Sequence, residues 1–231
     1  MQLNEMIPPS VSEEVLIDEE YKELVSEHAQ IQYLYNAAIQ FINVRLETLT
    51  NEFRISHRNN PIHHIQSRVK TPRSIVRKLR KQGIPVSMTN AKKSLHDLAG
   101  VRVVCCYIED IFTIARLIKS QDDIQVITEK NYIEKPKANG YRSLHLVVDV
   151  PVYLSGAKLF VPVEVQIRTV AMDFWASLEH NLRYKAPSEV PQEIVDELKE
   201  CADIITATDF RMERLSRAVN QLQDDESSPY R

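Results

Sequence analysis

Pro162-Val163-Glu164-Val165-Gln166-Ile167-Arg168 alternates apolar and polar residues without a break. A period of two is that of a β-strand, so Val163, Val165 and Ile167 face one side and Glu164, Gln166 and Arg168 the other. Three polar groups in line on a strand inside a sheet need water, partners or a ligand. A similar pattern stands upstream in Tyr141-Arg142-Ser143-Leu144-His145, where Tyr141, Ser143 and His145 share a face. An aromatic plane beside hydrogen-bonding groups suits a nucleobase and its sugar. A solvated sheet face and an ordinary core histidine are the competing readings of these strands.

Outward from this pair, the patterning predicts strands over 101–107, 124–132, 141–150 and 159–167, with helices over 110–120 and 170–184. A hairpin over 152–158 makes two strands antiparallel, so the sheet is mixed. Residues 71–82 read as a short basic helix, with Thr71 as N-cap, Pro72 at the first helical position and Gly83 at the stop. Arg73, Arg77, Arg80 and Lys81 fall near one face and Ile75, Val76 and Leu79 supply the buried side. Tyr21, Leu24, His28, Ile31, Tyr35, Ala38 and Ile42 alternate spacings of three and four, which marks a long amphipathic helix. Ile194, Leu198, Cys201, Ile205, Thr208, Met212, Leu215, Val219 and Leu222 repeat the spacing over about four heptads. Packing on their own domain is the competing reading of both stripes, but so long a seam favours a subunit interface. The expected fold class is α/β (α+β), a mixed sheet flanked by helices and framed by long N- and C-terminal helices. One domain is expected, with a loose arm over 1–12, a helix over 13–55, a core over 62–185, a helix over 191–223 and a disordered tail over 224–231.

The net charge of −3 hides an asymmetry. Residues 1–52 carry net −8; residues 53–96 hold eleven Lys or Arg and no acid; the remainder carries net −6. The block attracts polyanions, and its acid-free helix is unlike an ordinary solvated face, which mixes signs. Four isolated glycines exclude the GxGxxG and GxxxxGK[ST] cradles, so side chains must hold any phosphates. No apolar run approaches the ~20 residues of a membrane span. MQLNEMIPPSVSEEV lacks a signal peptide's basic and apolar regions, so the expected compartment is the cytoplasm. Three cysteines make no disulfide framework. Asp97, the first acid after the basic block, could hold Mg²⁺ with bound phosphates, or cap a turn. His96-Asp97 is similar to the core of metal phosphohydrolases, but no second His and Asp complete such a site, and the adjacent His63 and His64 read as solvent-facing. Asp97, Glu164, Tyr141 and the basic helix together form an inventory for phosphoryl or pyrophosphoryl transfer.

SRVKTPRSIVRK, HDLAGVRVV, GYRSLHLVV and VEVQIRTVAMDFWASLEH occur in that order. Over roughly 62–185 the chain thus resembles the synthetase domain of RelA/SpoT-type (p)ppGpp synthetases, and its length resembles that of single-domain small alarmone synthetases. The resemblance implies a nucleotidyltransferase-like mixed sheet and a homotetramer, which the heptad seam would build through the terminal helices. It implies transfer of the β,γ-pyrophosphate of ATP to the 3′-hydroxyl of GDP or GTP, with Mg²⁺ as cofactor. Carried over by motif, Arg68 and Arg102 resemble the arginines that sandwich adenine, and Lys70, Ser74, Arg77 and Lys78 the ATP phosphate contacts. Asp97 resembles the Mg²⁺ ligand, and Glu164 the catalytic carboxylate, as second metal ligand or as base. Tyr141 resembles the residue stacking on guanine, with Lys137 and His145 near the acceptor's phosphates. Gln166, Asp173 and Glu179 match positions near the acceptor site. Ile62-His63-His64-Ile65-Gln66 lacks a phenylalanine-type ring, which favours the RelP-type over the RelQ-type subclass. A non-catalytic RNA-binding module using residues 53–96 is the alternative.

Overall fold

The computed structural model describes residues 11–56, 59–185 and 190–226. Residues 1–10 of the expected arm and 227–231 of the expected tail lie outside the described residues. The element order is α1 (Val11–Ile55), β1 (Ile62–Val69), α2 (Pro72–Lys81), α3 (Met88–Ser94), β2 (Ala99–Cys105), α4 (Ile108–Lys119), β3 (Gln125–Asn131), β4 (Leu144–Tyr153), β5 (Lys158–Thr169), α5 (Val170–Lys185) and α6 (Gln192–Glu226). The strands form one sheet in the order β1-β2-β5-β4-β3. β2 and β5 are parallel at its centre, while β1, β4 and β3 pair antiparallel with their neighbours. The sheet is therefore mixed, and β4 and β5 form the expected hairpin.

Two elements escaped the patterning. In β1 the apolar residues Ile62, Ile65 and Val69 are spaced by three and four rather than two, and most of its side chains are exposed or half-buried at the sheet edge. A register shift between Ile62 and His64 breaks the alternation further. α3 is too short for a periodic signal; Ser87 caps it, accepting from the Asn90 N–H at 3.1 Å, and Met88 and Ala91 are its buried residues. The ladder of β4 begins at Leu144, so Tyr141 and Ser143 belong to the connection entering the strand rather than to the strand expected from residue 141. α1 begins at Val11, inside the expected arm, and α6 continues to Glu226, inside the expected tail.

One face of the sheet is closed by α1 and α4. Leu24, Ala38, Ile42 and Leu46 of α1 and Ile111 and Ile114 of α4 join Val101, Val103, Val163, Val165 and Ile167 in one core. The N-terminal stripe is thereby consumed within its own domain; truncating a fully buried leucine such as Leu46 to alanine costs about 2–5 kcal/mol. The opposite face keeps its polar residues and carries the cleft described below.

α6 docks differently. Its buried positions are Ala202, Asp209 and Glu213. Asp209 accepts from the Thr169 hydroxyl at 2.7 Å, and Glu213 accepts from the backbone N–H groups of Ile108 and Glu109 at 2.8 and 3.3 Å. A carboxylate there satisfies orphan donors at the positive end of α4. The heptad residues Met212, Leu215, Val219 and Leu222 are about half exposed or more. Among the described residues, no helix is long and apolar enough to cross a membrane.

Candidate active site

Register places the site's residues in two adjacent rows across the open face. Arg68, Gly100 and Glu164 align on β1, β2 and β5. Gln66, Arg102, Gln166 and His145 align one pair further along, extending to β4. A cleft of about 200 Å³ lies over these rows and reaches Asp97. Gly100 lies in its floor; a Cβ there would make only an ordinary contact with the Arg68 carbonyl at 3.8 Å, so neither protein packing nor backbone conformation requires glycine at this position.

Asp97 sits in the turn leading into β2. Its Oδ2 accepts from Lys70 Nζ at 2.8 Å and from Lys78 Nζ at 2.7 Å. Burial alone raises this carboxyl, but the bonds and charges of Lys70 and Lys78 outweigh it and hold the group below the usual carboxylate range. Its Oδ1 is buried and has no hydrogen-bond partner. Lys78 reaches Asp97 from α2, whereas Ser74 and Arg77 line a second groove with Arg73, Arg80 and Tyr21 of α1. The structure thus brings together Arg68, Lys70, Lys78, Asp97 and Arg102 and puts Ser74 and Arg77 on a groove beside them.

Glu164 forms the other centre. His145 Nδ1 lies 3.2 Å from its Oε1, and Gln166 Nε2 donates to its Oε2 at 2.8 Å. A carboxylate can only accept, so Nδ1 carries the proton; the Tyr141 hydroxyl lies 2.8 Å from Nε2. Burial pushes the Glu164 carboxyl up, but the His145 and Gln166 bonds and the His145 charge bring it below its ordinary value, against an opposing contribution from Asp97. Burial pushes the Tyr141 phenol up, which keeps its O–H on the ring and available to donate.

Around this chain stand further residues, among them Lys137, Asp173 and Glu179 of the expected acceptor site and Tyr132 and Asn139, which the sequence reading passed over. Tyr132 packs edge-on against both Tyr141 and His145, with ring centroids 6.1 and 5.2 Å apart. Lys137 Nζ lies 4.7 Å from the centroids of both tyrosines, and desolvation lowers its pKa, against the charge of Glu164. Arg168, 2% exposed, donates to Gln166 Oε1 at 2.6 Å and lies 5.7 Å from the Tyr141 ring centroid. Asp173 Oδ1 stands between Arg102 and Arg168, 3.3 and 3.5 Å away, at ion-pair distance without hydrogen-bond geometry. Glu179 accepts from Asn139 at 3.1 Å. Gly140 has φ +86, and a Cβ on it would meet Ala202 Cβ at 2.4 Å, so only glycine lets this loop lie against α6. Arg168 was visible in the strand alternation; Tyr132, Asn139 and Gln66 carry no periodic signal of their own.

The donor set fits a hard dication. Two ionised carboxylates flank one cleft, and Asp97 keeps a buried oxygen without a partner. Among the described residues, no three His, Cys, Asp or Glu gather into a metal cage. Mg²⁺ typically takes one or two carboxylates and completes its shell with phosphates and water. The same absence leaves His96-Asp97 without the further ligands that a phosphohydrolase centre needs. Convergence of Lys70 and Lys78 on Asp97 likewise lends no support to the RNA-binding alternative.

These features define a nucleotide-handling cleft on a mixed sheet, and comparison with known proteins gives its family. Residues 67–189 match the model of the "region found in RelA / SpoT proteins". The chain is 41% identical over 187 residues to the GTP pyrophosphokinase YwaC of Bacillus subtilis, spanning 81% of this chain and 89% of that protein. It superposes with a TM-score of 0.76 on the Bacillus subtilis small alarmone synthetase 1 bound to its product pppGpp, at 30% identity, covering 83% of this chain and 98% of that one. The same synthetase bound to AMPCPP gives 0.74 at 28% identity, covering 85% and 99%. The chain belongs to the RelA/SpoT synthetase family.

Proposed function

We propose that the chain is a single-domain, magnesium-dependent GTP pyrophosphokinase that moves the β,γ-pyrophosphate of ATP onto the 3′-hydroxyl of GDP or GTP. The products are AMP and ppGpp or pppGpp. The observation that carries this reading is the pair of differently partnered carboxylates on one cleft: Asp97 among lysines, and Glu164 in a chain with His145 and Tyr141. On the donor side, Arg68 and Arg102 bracket the adenine, and Lys70 and Lys78 take the phosphates, with Ser74 and Arg77 beside them. On the acceptor side, Tyr141 stacks on the guanine, steadied by Tyr132, while Lys137 and His145 meet its phosphates. Gln166, Asp173 and Glu179 complete that wall.

Glu164 takes the proton of the 3′-hydroxyl as its oxygen bonds to the β-phosphorus, and the bond from that phosphorus to the α-phosphate oxygen breaks to release AMP. Such a base is worth about 10²–10⁴-fold. Asp97 and Glu164 are the groups that would hold Mg²⁺, whose charge would offset that of the transferring group. Much of the remaining rate comes from lining up two nucleotides.

Purified protein incubated with labelled ATP, GDP or GTP and Mg²⁺ is expected to give labelled tetra- or pentaphosphate, to stop with a chelator, and to keep its initial rate when product is added, as the RelP-type reading requires. Absence of product with both acceptors over a range of Mg²⁺ would sink the proposal. The exposed seam of α6 is the surface through which copies of the chain associate. Leu215→Glu with Val219→Glu should lower the mass measured by light scattering; a monomeric wild type removes this part.

A further inference from the structure

Lys70 carries one of the two ammonium groups on Asp97, yet its backbone belongs to neither flanking element. It lies between β1, which ends at Val69, and α2, which begins at Pro72. Its N–H donates to the Leu98 carbonyl at 2.8 Å. The first-turn N–H groups of α2 at Ser74 and Ile75 go to the Thr71 carbonyl, not to that of Lys70. The Lys70 carbonyl is met instead by a side chain 42 residues earlier: His28 Nε2, at 2.8 Å.

His28 stands on α1 and is 7% exposed, in line with the apolar stripe that packs on the sheet. A leucine would continue that stripe. Burying an imidazole is costly unless its polar atoms find partners, and a carbonyl can only accept, so the Nε2–H donates here. His28 also lies outside the 67–189 stretch that the family model covers. We propose that His28 is a positioning residue for the ATP site: by holding the Lys70 carbonyl from α1, it fixes where the Lys70 ammonium stands relative to Asp97 and the donor phosphates. The inference rests on the donor-side assignment of Lys70 made above. With Leu98 on the N–H and His28 on the C=O, the peptide units on both sides of Lys70 are anchored, and the side chain leaves a fixed root. Its own four-carbon stem is flexible, so the effect falls on affinity for ATP rather than on the chemical step.

The test compares wild type with His28→Leu, His28→Gln and, as a control for packing on the same helix, Ile39→Val. His28→Leu removes the donor and keeps the bulk; it is expected to raise KM for ATP by about five- to tenfold, the size of one lost buried hydrogen bond. kcat and KM for the acceptor should stay within about twofold. His28→Gln keeps an N–H at similar reach and is expected to restore most of the ATP affinity. Ile39→Val should lower the melting temperature without moving KM for ATP. If His28→Leu leaves KM for ATP unchanged, or if His28→Gln loses as much as His28→Leu, the inference is overturned. If His28→Leu does not fold, His28→Asn, whose amide is shorter, takes its place in the same comparison against Gln. Calorimetric titration with ATP alone reads the same ratio without turnover. A wild type that binds ATP but makes no product therefore refutes the reaction proposed above, while the ratio of Kd values still decides the role of His28.

Discussion

Two groups of partly or wholly buried carboxylates lie in this protein, and their pKa values move in opposite directions. In the cleft, Asp97 and Glu164 are held below the carboxylate range although burial pushes both up. Where α6 crosses the start of α4, Asp110 is pushed up to about 6 and Asp209 is also raised. The burial is comparable, and what differs is the company. Asp97 has two ammonium groups, and Glu164 has His145 and an amide donor. Asp110 has one backbone donor, Tyr107 N–H, against the charges of Glu213 and Glu109. Cations and donors hold the cleft's acids down, whereas burial and neighbouring acids raise those at the junction. The clearest way to break this contrast is to take the charge away at Asp97. Asp97→Asn leaves Lys70 and Lys78 facing a neutral amide and removes a group proposed to hold Mg²⁺. Several kcal/mol of charge stabilisation correspond to a loss of at least about a thousandfold in kcat. Measured product formation within tenfold of wild type, with the fold intact by circular dichroism, would remove Asp97 from the mechanism.

Glu164 sharpens the contrast through pH. Glu164→Gln should lower kcat by about 10²–10⁴-fold, the value of a general base. The wild-type profile should show no acid limb from this group above the ordinary glutamate range, because its pKa is lowered. A depressed carboxylate contributes its stabilising charge above its unfolded pKa and loses it as pH falls through the folded one. His145→Leu removes the bond and charge that lower Glu164 and leaves the burial that raises it. The acid limb of kcat against pH should therefore move to higher pH in this variant. An acid limb at the wild-type position in His145→Leu would show that the bond does not govern Glu164.

How much of this was legible beforehand depends on how local the signal is. The alternation of β5 gave the orientation of Glu164, Gln166 and Arg168 correctly, because a central strand with one buried face obeys period two strictly. The parallel pairing of β2 with β5, which puts Gly100 between Arg68 and Glu164, is a long-range event with no local trace. β1 went unread because an edge strand need not alternate. On α2, the reading grouped Arg73, Arg77, Arg80 and Lys81 near one face; the first three line one groove, and Lys81 is not among its lining residues. That face opens towards Tyr21 of α1, while Lys78, three positions from Ile75, turns to Asp97. Which flank of a basic helix meets the cleft is set by how its apolar side docks, and periodicity gives the face without its destination. The terminal helices teach the same lesson. Both carry stripes of three and four, but α1 spends its stripe on the sheet, whereas α6 docks through Ala202, Asp209 and Glu213, packs Leu198 and Ile205 beside Trp175 and leaves Met212, Leu215, Val219 and Leu222 of its seam exposed.

The smallest predicted effect concerns the junction itself. Asp110 caps α4, its Oδ2 accepting from the Tyr107 N–H at 3.0 Å. Asparagine keeps that acceptor and deletes the charge beside Glu213 and Glu109. For a carboxyl whose folded pKa is raised to about 6, the protonated form is favoured in the native state. The penalty is absent below the unfolded pKa, grows as pH rises towards 6 and is full above it. Two pK units correspond to about 3 kcal/mol at most. Asp110 is only half-buried, and screening reduces this to about 1 kcal/mol. Asp110→Asn should therefore raise the melting temperature at pH 7.5 by about 2–4 °C in a chain of this size, and by less at pH 5. Activity should be unchanged, since Asp110 lies outside the cleft. A melting temperature that falls at pH 7.5, or a gain larger at pH 5, would mean that the Asp110 charge stabilises the start of α4 as an ordinary helix N-terminal acid, and that crowding by Glu213 and Glu109 does not override it.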